Sequence, residues 1–269
     1  MDDFDFLRII QLITRRTGII PRDSHKTGIK NFIEKRLPQI KEPVPSYYNY
    51  ITEHPEELTL LINSATVNET YFFREEIQFK LLQEKIFPEI AARKGQPIKI
   101  WSAASSSGEE IYSLYLLANA MGLNTELTAT DINTDMLEIC TEGKYKKKAL
   151  RSVDGAAFKE LLQPYKTEDD MFCIPDEIRS KINRKQINLA NMQEIPKNQD
   201  VIFIRNVFIY FGTETRKNIL ERFATQALAP GGYLFVSMNE TASIEKSMIP
   251  PELEKCADGK VFYFRRKEG

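Results

Sequence analysis

One run of small residues closes on two carboxylates: Trp101-Ser-Ala-Ala-Ser-Ser-Ser-Gly108-Glu-Glu110. It follows a short apolar segment and precedes an amphipathic one. Small side chains at such a strand end let backbone approach a ligand closely. Asp131 stands twenty-three residues beyond Gly108, at the end of the next β-rich segment. That spacing suits an acid that accepts hydrogen bonds from ribose hydroxyls. The run is not GxGxxG, so a dinucleotide fits poorly, and Glu109 with Glu110 would repel its pyrophosphate. A cationic nucleoside such as S-adenosylmethionine gains from the same carboxylates. Taken alone, the pattern also describes an ordinary strand-loop-helix of any α/β protein, and that alternative stays open.

The elements around these residues change character along the chain. Residues 1–65 place apolar side chains at helical spacing: Phe6, Ile9, Ile10 and Ile13, then Ile29, Phe32, Ile33 and Leu37. Breaks fall at Thr17-Gly18, at Pro38 and at Pro43 to Pro45. This reads as a small all-helical domain. After residue 95, β-rich segments (Ile98–Trp101, Leu127–Thr130, Val201–Ile204, Tyr233–Val236) alternate with amphipathic stretches at Glu109–Met121, Thr134–Thr141 and Thr215–Leu228. Alternation of this kind implies crossovers and a parallel sheet. Asp258-Gly259 before Val261 to Phe264 predicts a terminal antiparallel hairpin. Residues 144–187 are long for a crossover and predict an inserted subdomain, a small antiparallel sheet.

With 42% hydrophobic and 28% charged residues among 269, the chain is an ordinary globular one. Thirty-seven basic residues nearly cancel thirty-eight acidic ones, so net charge points to no partner and argues against a broad nucleic-acid surface. Two local basic runs stand out, Arg15 to Arg36 and Lys144 to Arg151, each equally readable as a solvated face. Cys140, Cys173 and Cys256 have no paired or metal-type spacing, which suits reduced thiols. No apolar run reaches the roughly 18 residues of a membrane span, and the acidic N-terminus is unlike a secretory signal. A cytoplasmic location with no membrane insertion follows as an expectation.

Five ordered segments resemble the signature blocks of the chemotaxis receptor methyltransferase family (CheR). They are Thr66-Val-Asn68-Glu-Thr70-Tyr-Phe-Phe-Arg74-Glu75, the Trp101 to Ser113 run, Ala129-Thr-Asp131-Ile-Asn, Ile204-Arg-Asn206-Val-Phe-Ile-Tyr210-Phe211 and Leu228-Ala-Pro-Gly-Gly-Tyr-Leu-Phe235. The resemblance implies a doubly wound, Rossmann-like class I methyltransferase domain over 66–269, with a three-stranded insertion, behind the helical domain. It implies transfer of a methyl group from S-adenosylmethionine to receptor glutamates, with S-adenosylhomocysteine as product. The implied partner is the cytoplasmic helical bundle of the receptors. By the same resemblance Asn68, Thr70 and Arg74 line the methionine end, Glu110 and less directly Glu109 lie beside the cofactor, and Asp131 meets its ribose. Asn188-Leu189, expected in a third strand at Gln186–Ala190, border the adenine. Asn206-Val207 form the floor, and Tyr210, with Arg74 the expected catalytic pair, faces the acceptor.

Blander readings stand beside these. Phe72, Phe73 and Trp101 read as packing, and Tyr210-Phe211 after a buried strand is ordinarily core. Arg74 alone is as readily a surface arginine, and His25 and His54 read as surface residues. Ser237-Met238-Asn239-Glu240 departs from the family's usual Gly-His-Ser-Glu. A glutamate acceptor, with a reference pKa near 4.3, is already an anion at neutral pH and needs no general base. The alternatives are a methyltransferase with another acceptor and a cofactor-binding signalling module without catalysis.

Overall fold

The computed structural model describes residues 3–40, 46–95, 97–150 and 156–268. The break at Pro43 to Pro45 and Arg151 of the second basic run lie outside the described residues.

Four helices open the chain: α1 (Asp3–Thr17), α2 (Asp23–Arg36), α3 (Tyr47–Glu53) and α4 (Pro55–Ala65). Their apolar stripes meet in one cluster that includes Ile9, Ile13, Ile29, Ile33 and Leu61. Arg36 does not join a basic face. Its Nε and Nη2 donate to the buried Glu57 carboxylate at 2.9–3.0 Å, and the Tyr47 hydroxyl donates to it as well at 2.7 Å.

Next, α5 (Glu76–Leu81) passes through a π turn at Leu82–Ile86 into α6 (Phe87–Lys94). Pro88 has no N–H to give the turn before it, which widens. Alternation then begins with β1 (Ile98–Ala103), α7 (Glu109–Ala120), β2 (Thr125–Asp131) and α8 (Thr134–Glu142). The small pair β3 (Lys144–Lys146) and β4 (Met171–Cys173) follows, then α9 (Asp176–Arg179), β5 (Ile182–Gln186) and β6 (Gln199–Ile204). The chain ends with α10 (Thr213–Arg222), β7 (Leu228–Val236), α11 (Met238–Thr241) and the hairpin β8 (Leu253–Asp258) and β9 (Val261–Arg266).

Seven strands form one sheet in the order β5-β2-β1-β6-β7-β9-β8, with β5, β2, β1, β6 and β7 parallel and the hairpin antiparallel. The inner strands are apolar on both faces, as a sheet covered on both sides requires. Ile98, Ile100, Val201, Phe203 and Phe235 join the cluster with α5, α6 and α7. Their alternate neighbours Trp101, Ala103, Ile202, Ile204 and Val236 join the cluster with α10. Strand order reverses between β1 and β6, so a crevice opens above their C-terminal ends.

Two expectations need correction. The third parallel strand is Ile182–Gln186 rather than Gln186–Ala190, leaving Asn188 and Leu189 just beyond it. It is a polar edge strand, and Asn188 ends it by accepting a hydrogen bond from the Ala190 amide at 3.0 Å. Because β5 belongs to the central sheet, the segment that leaves the sheet stops short of residue 182 rather than at 187. Among the described residues its ladder has two strands, with one isolated bridge, Lys166 to Phe172, where a third was implied. The turn at Thr167 to Met171, with Asp170 left-handed, reverses the chain at once.

Candidate active site

The crevice is a cavity at the switch point of the sheet, the usual place for a ligand in such a fold. From the loop after β1, Ala104, Ser105 and Ser106 line it, with Glu110 from the first turn of α7. This loop turns through Ala104 (φ 66°), Ser106 (φ 49°) and Gly108 (φ 96°). Gly108 admits no side chain, since a Cβ would lie 2.4 Å from the Cys140 Sγ. The turn aims the Ser106 amide at Asp131 Oδ2, 2.8 Å away, while the Asn133 amide holds Oδ1 at 2.9 Å. Asp131 lines the cavity so fixed, with lone pairs left to accept from a ligand. Burial raises its carboxyl pKa, and the amides of Asn133 and Ser106 pull it back down.

The two adjacent acids separate. Glu110 faces the cavity and accepts from the Ser102 hydroxyl and from Arg205 Nε, both at 2.6 Å. Glu109 does not line the cavity; it takes the Ser107 hydroxyl at 2.6 Å, and burial raises its pKa. Asn188 and Leu189 line the cavity beyond β5, and Asn206 and Val207 line it beyond β6. Asn188 is held at both ends of its side chain: its amide donates to the Arg16 carbonyl at 2.7 Å while its oxygen caps Ala190.

The opposite wall comes from the chain before α5. Asn68, Thr70 and Arg74 line it, anchored by the buried Phe72 and Phe73 beneath. Arg74 donates to the Glu69 carbonyl at 2.9 Å and stands over the Tyr71 ring. Tyr210 completes the wall, half-buried, its hydroxyl without a partner among the described residues. Burial raises the pKa of that hydroxyl above its ordinary value.

Residues 16–22 run alongside as a strap. Ile20 N donates to the Tyr210 carbonyl at 2.9 Å, Arg22 donates to that of Ile209 at 3.1 Å, and Thr17 and Ile19 line the cavity. Gly18 (φ 74°) allows it, because a Cβ there would sit 2.4 Å from that of Ala190. In sequence this segment read only as a break. His25 is no bland surface residue: its ring packs on Tyr210 with centroids 5.4 Å apart, and burial lowers its pKa. His54 is likewise half-buried, stacked on Tyr50.

Arg205, Glu75 and Glu240 escaped sequence reasoning. Arg205 is buried, bonded to Glu110, to the Gln78 side chain at 3.2 Å and to the Arg74 carbonyl at 2.5 Å. Its signal was a charge directly after the apolar run Val201–Ile204. Five of the seven non-glycine left-handed residues, Phe73, Glu75, Ala104, Ser106 and Asn206, lie in the loops around this cavity. Each costs about 1–3 kcal/mol and persists only where its surroundings over-determine it, so the walls are rigidly specified.

Ser105 Oγ and Asn206 Oδ1 are buried without a protein partner. Left unmet, each costs about 1–3 kcal/mol, so both suit a ligand rich in hydroxyl and amino groups. Such a nucleoside cavity, at the switch point of a sheet in this order and without a glycine-rich phosphate loop, belongs to the S-adenosylmethionine-dependent methyltransferases. Comparison with known proteins narrows the class. Residues 68–254 match the family described as CheR methyltransferase, SAM binding domain. The chain is 36% identical to chemotaxis protein methyltransferase 2 of Vibrio cholerae, over 90% of this chain and 86% of that one. It is 37% identical to the chemotaxis protein methyltransferase of Vibrio parahaemolyticus (96% and 94% covered) and 32% identical to that of Escherichia coli (90% and 86%). The chain belongs to the CheR methyltransferase family.

Proposed function

We propose that the chain methylates glutamate side-chain carboxylates in the cytoplasmic helical bundle of chemotaxis receptors, giving glutamate methyl esters and S-adenosylhomocysteine. The observation that supports the acceptor class is Tyr210, a donor that lines the cavity with its hydroxyl unpartnered among the described residues. The receptor as partner rests on the relatives, which are named chemotaxis protein methyltransferases. Among the described residues no helix is long and apolar enough to cross a membrane, in keeping with a partner met from the cytoplasm.

Bound in the cavity, S-adenosylmethionine supplies a methyl group on a sulfonium, whose carbon–sulfur bond breaks as the acceptor oxygen attacks. The chain's residues hold and align. Asp131 accepts from the ribose, Asn188 and Leu189 border the adenine, and Asn206 and Val207 form the floor. Asn68, Thr70 and Arg74 take the methionine end, the guanidinium forking its carboxylate, and Glu110 lies beside the positive charge. Tyr210 donates its hydroxyl proton to the acceptor carboxylate in a hydrogen bond and orients it. No residue removes a proton, because a glutamate is ionised above about pH 4.3.

One observation favours a second reading. His25, whose pKa burial lowers, packs its ring against Tyr210 and is the candidate base for an amine or hydroxyl acceptor. The pH profile separates the two. With receptor cytoplasmic fragments, kcat/KM should stay flat from about pH 6 to 9, and His25→Ala should leave it flat. A steep rise through that range, abolished in His25→Ala, would remove the carboxylate acceptor.

A further inference from the structure

Behind the cavity the chain buries a carboxylate with no cation paired to it among the described residues. Glu240 of α11 is 1% exposed, and the nearby charge of Glu75 is of like sign. Burying an unpaired carboxylate is costly unless its oxygens are hydrogen-bonded. Here two backbone amides do so: Asn206 N reaches Oε2 at 2.6 Å, and Ile209 N reaches Oε1 at 3.1 Å. Glu240 itself does not line the cavity, but the residues it holds bear on both of its ends. Asn206 is left-handed (φ 59°) with its Oδ1 unmet, and Ile209 immediately precedes Tyr210. Ser237, at the start of the same turn, takes the Asn206 side-chain amide at 3.2 Å and donates to Glu75 at 2.9 Å.

We propose that Glu240 is a positioning residue for methyl transfer. By gripping the amides of Asn206 and Ile209, it fixes the cofactor-facing and acceptor-facing halves of one turn against each other. Both halves rest on the function proposed above, the cofactor half on its placing of Asn206 against the cofactor and the acceptor half on its placing of Tyr210.

Double-mutant cycles test it. Glu240→Gln keeps the size but turns an NH2 donor toward one of the two amides. The Kd for S-adenosylhomocysteine should rise about tenfold, and kcat with a receptor fragment should fall about tenfold, the scale of one lost charged hydrogen bond. KM for the fragment should barely move. In an Asn206→Gly background the same change should cost less affinity, because glycine takes the left-handed backbone unaided. In Tyr210→Phe it should cost less kcat, there being no hydroxyl to misplace. Full cost in both backgrounds would overturn the proposal. Binding of S-adenosylhomocysteine needs no acceptor, so a wild type that binds it but fails to methylate receptor fragments loses only the acceptor reading. Should Glu240→Gln fail to fold, amide hydrogen exchange on the wild type decides instead. Product binding should slow Asn206 and Ile209 by similar factors, and slowing of one alone would overturn the coupling.

Discussion

Glu110 and Arg74 face the same cavity from opposite walls, and they are held on different terms. Glu110 is buried and saturated, clasped by Ser102 and by Arg205, which is itself fixed by Gln78 and the Arg74 carbonyl. Asp131 is pinned likewise by two amides. On the other wall the Arg74 and Tyr210 side chains are half-buried, and the strap from Thr17 to Arg22 alternates the buried Thr17 and Ile19 with the exposed Ile20 and Arg22, its Arg22 and Arg74 side chains donating to backbone carbonyls. The first wall can present fixed dipoles to a small ligand at no reorganisation cost. On the reading proposed above the second is shared, with Asn68, Thr70 and Arg74 at the cofactor's methionine end and the Tyr210 hydroxyl left for a partner that arrives from solution. A methyltransferase with a protein acceptor needs both, one site complete in itself and one finished by docking.

The contrast breaks most violently at Arg205. Arg205→Leu leaves Glu110 buried without its cation, and breaking such a pair costs about 3–5 kcal/mol. Denaturant titration should show that loss; a change below about 1 kcal/mol would mean that the saturated wall is no more demanding than the surface. Asp131→Ala comes next. It should weaken S-adenosylmethionine binding by about 1.5–3 kcal/mol, read by calorimetry on folded protein. Asp131→Asn should lose less, because one oxygen remains to hold an amide. Unchanged affinity in both would take Asp131 out of the cofactor site.

On the open wall the effect should be smaller and confined to turnover. Tyr210→Phe should lower kcat about ten- to a hundredfold, the scale of one orienting hydrogen bond to a charged group. Cofactor affinity should hold within about twofold of the wild type, a shift of about 0.4 kcal/mol. A Kd that rose with the fall in kcat would erase the distinction between the walls.

Much of this arrangement was legible in the chain. Asp131, the small-residue loop and the alternation after residue 95 are local signals, and local signals survive folding. Arg205 and Glu240 were not legible as a site, because their partners come from far along the chain: Glu110 is ninety-five residues from Arg205, and Asn206 thirty-four from Glu240. Strand β5 was placed too late, at Gln186–Ala190, because an edge strand can keep charges such as Arg184 and Lys185 that a buried one cannot. The strap was missed because Thr17-Gly18 looks like a plain break until Ala190 is seen against it.

The smallest effect expected is at the rim, where the helical segment carries Arg15, Arg16 and Lys30. All three are exposed and lie outside the cavity, unlike Arg36, which is spent on Glu57. If the acceptor is an acidic helical bundle, these charges steer its approach without touching the reacting atoms. Exposed charges act over roughly a Debye length, about 8 Å at physiological salt and about 30 Å at 0.01 M. Replacing all three with glutamine should therefore cut kcat/KM for a receptor fragment several-fold at low salt, by slower association. The difference should close near 1 M, where screening reaches about 3 Å. The Kd for S-adenosylmethionine should not move at either salt, since the saturated wall is untouched. An undiminished rate at low salt would put the docking face elsewhere, and Lys144 to Lys148 would be tested next; there Lys147 is already bridged to Asp170. A Kd that did move would show that the rim charges act on the cofactor as well as on the approaching partner.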